Sequence, residues 1–382
     1  MDYEEEQRKN VTMLLKNLGE PSVMDELGFL TIKRRISDCL YPGISTNLTL
    51  AKYYILIPMI FRSALSENRQ QVVKHIREMQ DKTTGILAEY RKKQEETTDK
   101  IRGIIGGKRT PMNVYWSSLR KFGILKRNVG NIGDACSRVA RGEDVFDFEI
   151  KTTLKNFFDS KENNPLELTQ EEKEALKAKM LQAEGIQNSL LQYCLVNNLS
   201  LQEDQFPNSD TINRKNKQYD LAIIKTRVTD AGKLSLLMEG IYAVYNLIFL
   251  EKNGTTTQKE INQEKLKKIF HDWLEKYNKN KIKSSDIDLI MDDYVEAGAY
   301  REALCSFLKN FIENIEEISG QRVENPEDIK ISNELTNLII DREKYCKQDR
   351  AELGKKGIPF EEKKTTLDFR HGVAQKILKD II

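Results

Sequence analysis

The sequence predicts a mostly α protein, with two packed helical domains, a C-terminal helix and little or no β structure. Helix breakers are sparse, because the 382 residues include only 8 prolines and few Gly-rich runs. Long stretches are rich in Lys, Glu, Leu and Ile, and their apolar side chains recur at helical spacing. A chain of this length buries a sizeable core without disulfide or metal support.

The most apolar part of the N-terminal half is residues 41–62, YPGISTNLTLAKYYILIPMIFR. The YPG triplet is expected to end one helix, and Ser45 or Thr46 to cap the next. The uninterrupted apolar run 53–61 has nine residues, against roughly 20 needed to cross a bilayer. Pro58 lacks the N–H that would continue the helical ladder. We therefore expect a kinked, buried helix here.

Two later segments carry clear helix signals. Thr169 and Glu172 form a capping box at the start of TQEEKEALKAKML. Residues 284–315 predict two helices with a break near Gly298. The apolar stretch 234–250 contains a glutamate and an asparagine, so we interpret it as a core helix and not as a membrane span.

A polar stretch near residues 155–168 predicts a domain boundary. We expect an N-terminal helical domain at 1–160, a second helical domain at 161–355 and a tail helix at 356–382. Five scattered cysteines without a C-x-x-C pair, and only three histidines, favour reduced thiols and argue against a zinc site or another metal site. The acidic, polar start MDYEEEQRKN is unlike a secretory signal. These features predict a cytoplasmic protein without a cofactor.

The strongest local signal is a basic segment, residues 101–141. It contains nine basic residues and one acid, Asp134, in a chain whose net charge is only +2. Aromatic residues lie among these cations, which is typical of segments that follow phosphates and stack bases. The alternative is a solvated basic face, or cations paired with the acidic RGEDVFDFE that follows. The predicted nucleic-acid contacts are Arg109, Trp116, Arg120, Lys121, Lys126 and Arg127, although Trp116 is equally compatible with a core position.

Other motifs predict less. Glu149 and Lys151 match the (D/E)-x-K spacing of metal-dependent nucleases, which also requires a further acid such as Asp134 or Asp144 on a neighbouring strand. The acids between 286 and 296 suggest a solvated or partner-facing helix.

His371 lies in a C-terminal cluster with Asp368 and Arg370. Asp368 is explained adequately as the N-cap of the final helix.

Three segments resemble one bacterial family of unknown function. They are LYPGISTNLTLAKYYILIPMIF at 40–61, TPMNVYWSSLRKFGIL at 110–125 and LDFRHGVAQKIL at 367–378, and LELTQEEKEALKAKML at 166–181 is also similar. The family tends to have basic or small residues where this chain has Leu50 and Lys52. The resemblance implies no assigned reaction, and therefore no catalytic residues. It does imply genes near restriction and anti-phage genes, which favours a nucleic-acid role.

Three functional hypotheses follow. The first is a non-catalytic helical subunit of a bacterial defence or DNA-processing system that contacts DNA or RNA and other proteins of its operon, with no membrane partner. The second is a protein-interaction scaffold without nucleic-acid binding. The third is a divalent-metal nuclease that uses Glu149 and Lys151. We favour the first because the basic segment offers phosphate contacts.

Overall fold

The computed structural model describes residues 25–68, 70–95, 110–159, 164–320, 325–355, 357–363 and 367–382. These residues form fourteen α-helices, and their β structure is limited to one isolated antiparallel bridge between Leu125 and Phe146. The predicted mostly α, multi-helical fold is confirmed. The helices are α1 Leu30–Leu40, α2 Tyr53–Ser63, α3 Val72–Glu95, α4 Pro111–Lys121, α5 Ile132–Val139, α6 Leu154–Asp159, α7 Gln170–Leu181, α8 Leu190–Val196, α9 Leu221–Asn253, α10 Thr256–Lys279, α11 Ser284–Tyr294, α12 Ala299–Gly320, α13 Asn333–Lys347 and α14 His371–Ile381.

The described residues pack into two compact units. The larger unit contains those of Ile36–Gly232 and Leu367–Ile382, and the smaller unit contains those of Lys233–Thr366 and those before Ile36. The domain boundaries predicted near 160 and 355 divide the chain differently, because residues on both sides of 160 and the tail helix α14 lie in the larger unit. Contacts between segments that are distant in the sequence define the two units. The local composition of the sequence does not show these contacts.

Helix α2 is buried along its whole apolar run, Tyr53–Phe61, and Pro58 lies inside it. The burial agrees with the prediction, but the predicted cap does not. The helix begins at Tyr53, with no side-chain cap, several residues after Ser45 and Thr46. The YPG triplet does follow the end of a helix, α1.

The loop 41–52 before α2 is held by side chains from distant parts of the larger unit. The hydroxyl of Tyr115 accepts the N–H groups of Thr49 and Leu50 at 2.8 and 2.9 Å, and it donates to the carbonyl of Leu50 at 2.9 Å. Asp380 Oδ2 accepts the N–H of Ala51 at 2.8 Å. Because side chains and not helical carbonyls take these N–H groups, the helix does not extend back to the predicted cap.

Two more distant residues reach the start of the same loop. Ser118 Oγ donates to the carbonyl of Gly43 at 2.6 Å, and Arg370 Nη1 donates to the carbonyl of Ile44 at 2.8 Å. Gly43 has φ +81°, and a Cβ there would lie 2.7 Å from the ring of Phe122. Glycine is therefore required at this position by both its backbone and its neighbour.

The other local helix predictions hold. In the capping box, Thr169 Oγ1 accepts the N–H of Glu172 at 3.3 Å, and Glu172 Oε2 accepts the N–H of Thr169 at 2.9 Å. Helices α11 and α12 are the two predicted helices, and Gly298, with φ +148°, lies between them. The five cysteines all lie in the described part of the chain, and none of them forms a disulfide.

Helix α9 contains the second apolar stretch. Among the described residues it is the one helix long and apolar enough to cross a membrane, but 78% of its most apolar window is buried. A core helix passes the same test, and the packing around Gly240 fits that interpretation. A Cβ at Gly240 would overlap the ring of Trp273, whose Nε1 donates to the carbonyl of Leu236 at 2.7 Å.

Candidate nucleic-acid interface

The part of the predicted basic segment with exposed cations is residues 120–130, which we call the cationic loop. It begins at the end of α4, where Gly123 adopts φ +65° and turns the chain. The apolar side chains of Phe122, Ile124 and Leu125 are buried. The flanking basic side chains must therefore point outwards, and the exposed ones are Arg120, Lys121, Lys126 and Arg127.

The cationic loop is fixed to its surroundings by its backbone. Leu125 forms the isolated bridge with Phe146, and the N–H of Lys126 donates to the carbonyl of Val145 at 3.0 Å. The carbonyl of Ile124 accepts the N–H of Asp147 at 2.8 Å. These bonds limit the movement of the loop, so its cations keep a defined spacing.

Arg120 and Trp116 brace the far end of the loop. Arg120 Nη2 donates to the carbonyls of Val129, at 3.0 Å, and Gly130. Trp116 Nε1 donates to the same Gly130 carbonyl at 3.2 Å, and its ring centroid lies 5.9 Å from that of Phe61. Trp116 is half-buried, so it is neither a fully buried anchor nor a fully open stacking surface. Its predicted contact with a base stays a prediction.

The remaining cations of the loop differ in their neighbours. Lys126 Nζ donates to the main-chain carbonyl of Asp144 at 2.6 Å, while Lys121 runs beside Gly43 and Gly185. Arg127 is exposed. Among the residues described by the structure, Arg120 and these three cations have no carboxylate within ion-pair distance. Bonds to neutral carbonyls do not neutralise these cations, although the pKa of Asp147 is lowered by the hydrogen bond from Lys179 and also by the charge of Lys126.

The two arginines at the end of the predicted segment are paired, as the alternative interpretation expected. Arg138 contacts Asp134 at 3.2 Å and Glu143 at 3.7 Å, and Arg141 contacts Glu143 at 3.0 Å. The N–H of Gly130 and the Arg138 guanidinium lower the pKa of Asp134. Only part of the basic segment therefore remains unneutralised.

Two other acids near the cationic loop also have their own cations. Asp144 contacts Arg62 at 2.9 Å, and Asp147 contacts Lys179 at 2.9 Å. The hydrogen bond from Lys179 lowers the pKa of Asp147. These two acids therefore form their ion pairs with cations outside the loop, while the charge of Lys126 also lowers the pKa of Asp147. Of the other predicted contacts, Arg109 lies outside the described residues.

Several residues of the predicted nuclease motif have other charged partners in the structure. Lys151 contacts Glu171 at 2.8 Å, and that hydrogen bond raises the pKa of Lys151. Asp134 and Asp144, the predicted additional acids, are paired with arginines. The described residues contain no strand on which these groups would align, and no group of three His, Cys, Asp or Glu side chains able to hold a metal ion.

The acidic stretch 286–296 lies on and after α11, and most of its charges have partners. Asp286 contacts Lys233 at 2.8 Å, and Asp288 contacts Lys309 at 2.6 Å. The two other acids that form ion pairs in this stretch are Asp292, which contacts Arg301, and Glu296, which contacts Arg35. This surface therefore offers little free negative charge to a partner.

His371 is buried, with 1% of its surface exposed, and both ring nitrogens have partners. Nε2 lies 2.7 Å from the carbonyl oxygen of Gln202, which can only accept, so Nε2 carries the proton. Nδ1 then accepts from the Tyr41 hydroxyl at 2.5 Å. Burial lowers the pKa of His371. A neutral, enclosed imidazole with both nitrogens satisfied indicates a structural role.

The predicted N-cap next to His371 is wrong. Arg370 occupies the N-cap position with φ +66°, and its N–H donates to Asp368 Oδ1 at 3.1 Å. The left-handed residue places the Arg370 side chain on the carbonyl of Ile44. The same turn positions His371 against Tyr41.

Sequence reasoning missed the partners of these buried polar groups. Tyr41 and His371 are separated by 330 positions, and Lys52 pairs with Glu172 across 120 positions. Such contacts have no local signal. The segments that carry the family resemblance do share one property in the structure. Each of them contributes residues to the contacts around loop 41–52.

Comparisons with known proteins identify a family and no individual relative. Neither a curated protein nor a solved structure matches this chain. The model of one family, described as a family of unknown function (DUF6361), matches residues 1–382. The match covers the whole sequence, so this protein belongs to the DUF6361 family of unknown function.

Proposed function

We propose that this protein is a non-catalytic helical subunit of a bacterial defence or DNA-processing system, and that the cationic loop contacts nucleic acid. One observation carries the proposal. The four cations of the loop face solvent on a braced backbone and have no carboxylate partner among the described residues, whereas the neighbouring acids bind other cations. The four residues are Arg120, Lys121, Lys126 and Arg127.

The physical basis is the release of counterions. A Lys or Arg that neutralises one phosphate of duplex DNA contributes about 0.9 to the slope of log affinity against log salt. Four such contacts predict a slope contribution of roughly 3.6, enough for weak binding that does not depend on sequence. The main-chain bonds of the loop reduce the entropy lost when its cations bind.

Three further parts of the proposal extend beyond this loop. Arg109 is a proposed additional phosphate contact, and Trp116 is a proposed stacking surface. Other proteins of the same operon are the proposed assembly partners. The defence context is supported only by the resemblance of segments such as 110–125 to a family with that genomic habit.

The test measures fluorescence anisotropy of labelled single-stranded DNA, duplex DNA and RNA at several salt concentrations, with the full chain. We expect the fourfold alanine variant to lose most of its affinity and most of its salt slope, because the phosphate contacts are gone. The variant combines Arg120→Ala, Lys121→Ala, Lys126→Ala and Arg127→Ala.

The matched control removes the same number of charges from the smaller unit. It combines Lys268→Ala, Lys279→Ala, Lys281→Ala and Lys344→Ala, all at exposed positions. Urea unfolding of both variants separates lost binding from lost folding, which is relevant because Arg120 braces the loop. If both variants bind like the parent protein, or the parent binds none of the three nucleic acids, the proposal is wrong.

A further inference from the structure

A cleft of about 790 Å³ opens in the larger unit between α3, α4 and the side of α5. This volume lies within the usual range for small-molecule sites. Its apolar walls include Val72, Ile76, Met112 and Ile132, and no Asp or Glu among the described residues lines it. These walls therefore suit the apolar face of a ligand, and none of their described side chains repels an anion.

Two guanidinium groups line the cleft, and only Arg77 is without an ion pair among the described residues. Arg77 is exposed on α3 and has no carboxylate within ion-pair distance among the described residues. Arg77 and Cys136 both line the cleft. Burial raises the pKa of the Cys136 thiol, and the Arg77 charge opposes that effect. Arg141 also lines the cleft and is held by Glu143, with both side chains about half exposed.

The start of α4 adds to this positive potential. Thr110, the N-cap residue, and Met112 line the cleft, and the first turn of α4 contains no acidic residue. The partial positive charge of a helix N-terminus is therefore not compensated within its own first turn.

Gln80 is an independent observation that points to a ligand. Only 8% of this residue is exposed, it lines the cleft, and its carbonyl Oε1 has no hydrogen-bond partner among the described residues. Buried amide oxygens are nearly always paired, because leaving one unpaired is unfavourable. Because Oε1 has almost no exposed surface of its own, a ligand N–H group would satisfy it after the Gln80 amide turns towards the cleft.

We propose that this cleft binds a phosphorylated nucleoside, either as a free nucleotide or as one unit of a nucleic-acid strand. The Arg77 guanidinium binds the phosphate, which accepts paired hydrogen bonds from arginine, and Arg141 adds a contact by exchanging Glu143 for the phosphate. The apolar walls contact the faces of the base, and the Gln80 amide pairs with its polar edge. Inorganic phosphate would use only the arginines, and a fatty acid would leave Gln80 unpaired. The site uses none of the four cations of the cationic loop, so it does not depend on the proposed function.

The first experiment titrates the full chain with AMP, GMP, CMP and UMP by isothermal calorimetry, with adenosine and inorganic phosphate for comparison. We expect a nucleotide to bind more tightly than either fragment. Arg77→Ala and Arg141→Ala should each weaken nucleotide binding about tenfold, as the loss of a charge-assisted contact predicts. Gln80→Leu should weaken nucleotide binding and leave phosphate binding unchanged.

Two matched controls make the result specific. Lys74→Ala removes one charge from the exposed side of the same helix as Arg77, outside the cleft, and should leave binding unchanged. Ser137→Trp should fill the cleft and abolish binding, while Ser117→Trp, at an exposed position outside the cleft, should not. Circular dichroism and urea unfolding establish that each variant is folded.

The source of the nucleotide is decided by a second arm with a short single-stranded oligonucleotide. This arm uses the fourfold alanine variant of the cationic loop, so that failure of the proposed function does not affect the result. Binding of free nucleotides supports a free ligand. Binding of the oligonucleotide alone, lost in Arg77→Ala and Ser137→Trp, supports a strand. The inference is overturned if neither a free nucleotide nor the oligonucleotide binds. It is also overturned if the substitutions at Arg77, Arg141 and Ser137 leave the affinity unchanged.

Discussion

Loop 41–52 and the cationic loop both contain residues that make the sequence distinctive, but they use their polar groups in opposite ways. In loop 41–52 the hydrogen-bonding groups meet partners inside the larger unit, including the pair between Lys52 Nζ and Glu172 Oε2 at 2.7 Å. In the cationic loop, the described partners of Arg120 and Lys126 are neutral carbonyls, and Arg127 faces solvent. A segment that stands out in the sequence can therefore stabilise the fold or present its side chains to solvent. The contacts in the structure show which of these roles each segment has.

The largest expected effect tests the internal role of loop 41–52. Lys52 is 6% exposed and Glu172 is 2% exposed, so Lys52→Met leaves a buried carboxylate without its cation. We expect the free energy of unfolding to fall by about 3–5 kcal/mol, measured by urea denaturation. Nucleic-acid affinity, measured under conditions where the variant is folded, should not change.

A double variant identifies the cause of that loss. Lys52→Met with Glu172→Gln removes both charges and keeps an acceptor for the N–H of Thr169, so it should recover much of the stability. Lys151→Ala serves as the control, because its pair with Glu171 is exposed and should contribute less than about 1 kcal/mol. A loss below 1 kcal/mol for Lys52→Met would show that the pair is not essential to the fold.

The second prediction concerns the buried contact between Tyr41 and His371. Tyr41→Phe removes the hydroxyl that donates to Nδ1 and that accepts from Gln375 at 3.4 Å. Leaving these buried groups unpaired should cost about 1–3 kcal/mol of unfolding free energy. The measurement is again urea unfolding, with Tyr345→Phe, at an exposed ring, as the control.

The same contact predicts a dependence on pH. Burial lowers the pKa of His371 below its usual 6.5, although Asp368 and Glu203 act in the opposite direction. The unfolded chain therefore binds a proton at a higher pH than the native protein does. The contribution of His371 to the free energy of unfolding is therefore fully present above about pH 6.5, and it decreases as the pH falls below that value. The decrease between pH 7 and pH 5 should be smaller in His371→Gln, and equal decreases in both proteins would contradict the assignment.

The sequence predicted what depends on neighbouring residues. The capping box at Thr169, the break at Gly298 and the burial of the run 53–61 follow from local propensity and apolar spacing, and all three are present. The start of α2 was wrong because Tyr115 takes the N–H groups of loop 41–52. No local rule anticipates a hydroxyl from 65 positions away.

The candidate site shows the same limit. A count of charges predicted one basic segment and left open which of its cations are paired, and folding gives these cations different partners. Arg138 meets carboxylates, Arg120 meets carbonyls, and Arg127 meets solvent. The sequence names the cations, whereas tertiary packing decides which of them remain available.

The third prediction compares two arginines within that segment. Arg127→Ala should lower the salt slope of duplex DNA binding by about 0.9, because one phosphate contact is lost. Arg138→Ala should leave the slope unchanged, because Arg138 already binds Asp134 and Glu143. The slopes come from anisotropy titrations between 50 and 200 mM salt. Equal changes in both variants would show that the cationic loop is not a distinct contact surface.

The smallest expected effect concerns the acidic stretch 286–296. Like Lys52 in loop 41–52, most of its acids form ion pairs within their own unit, but these pairs lie at the surface. Asp288 contacts Lys309 and Asp292 contacts Arg301, and both aspartates are more than half exposed. Asp288→Asn and Asp292→Asn should each change the unfolding free energy by less than about 1 kcal/mol, because water screens such pairs. Neither variant should change nucleic-acid affinity. Lys309→Ala, which removes the cation of the pair with Asp288, serves as the control and should also leave that affinity unchanged. A large loss of a co-purifying protein in these variants, with stability unchanged, would instead assign the stretch to partner binding.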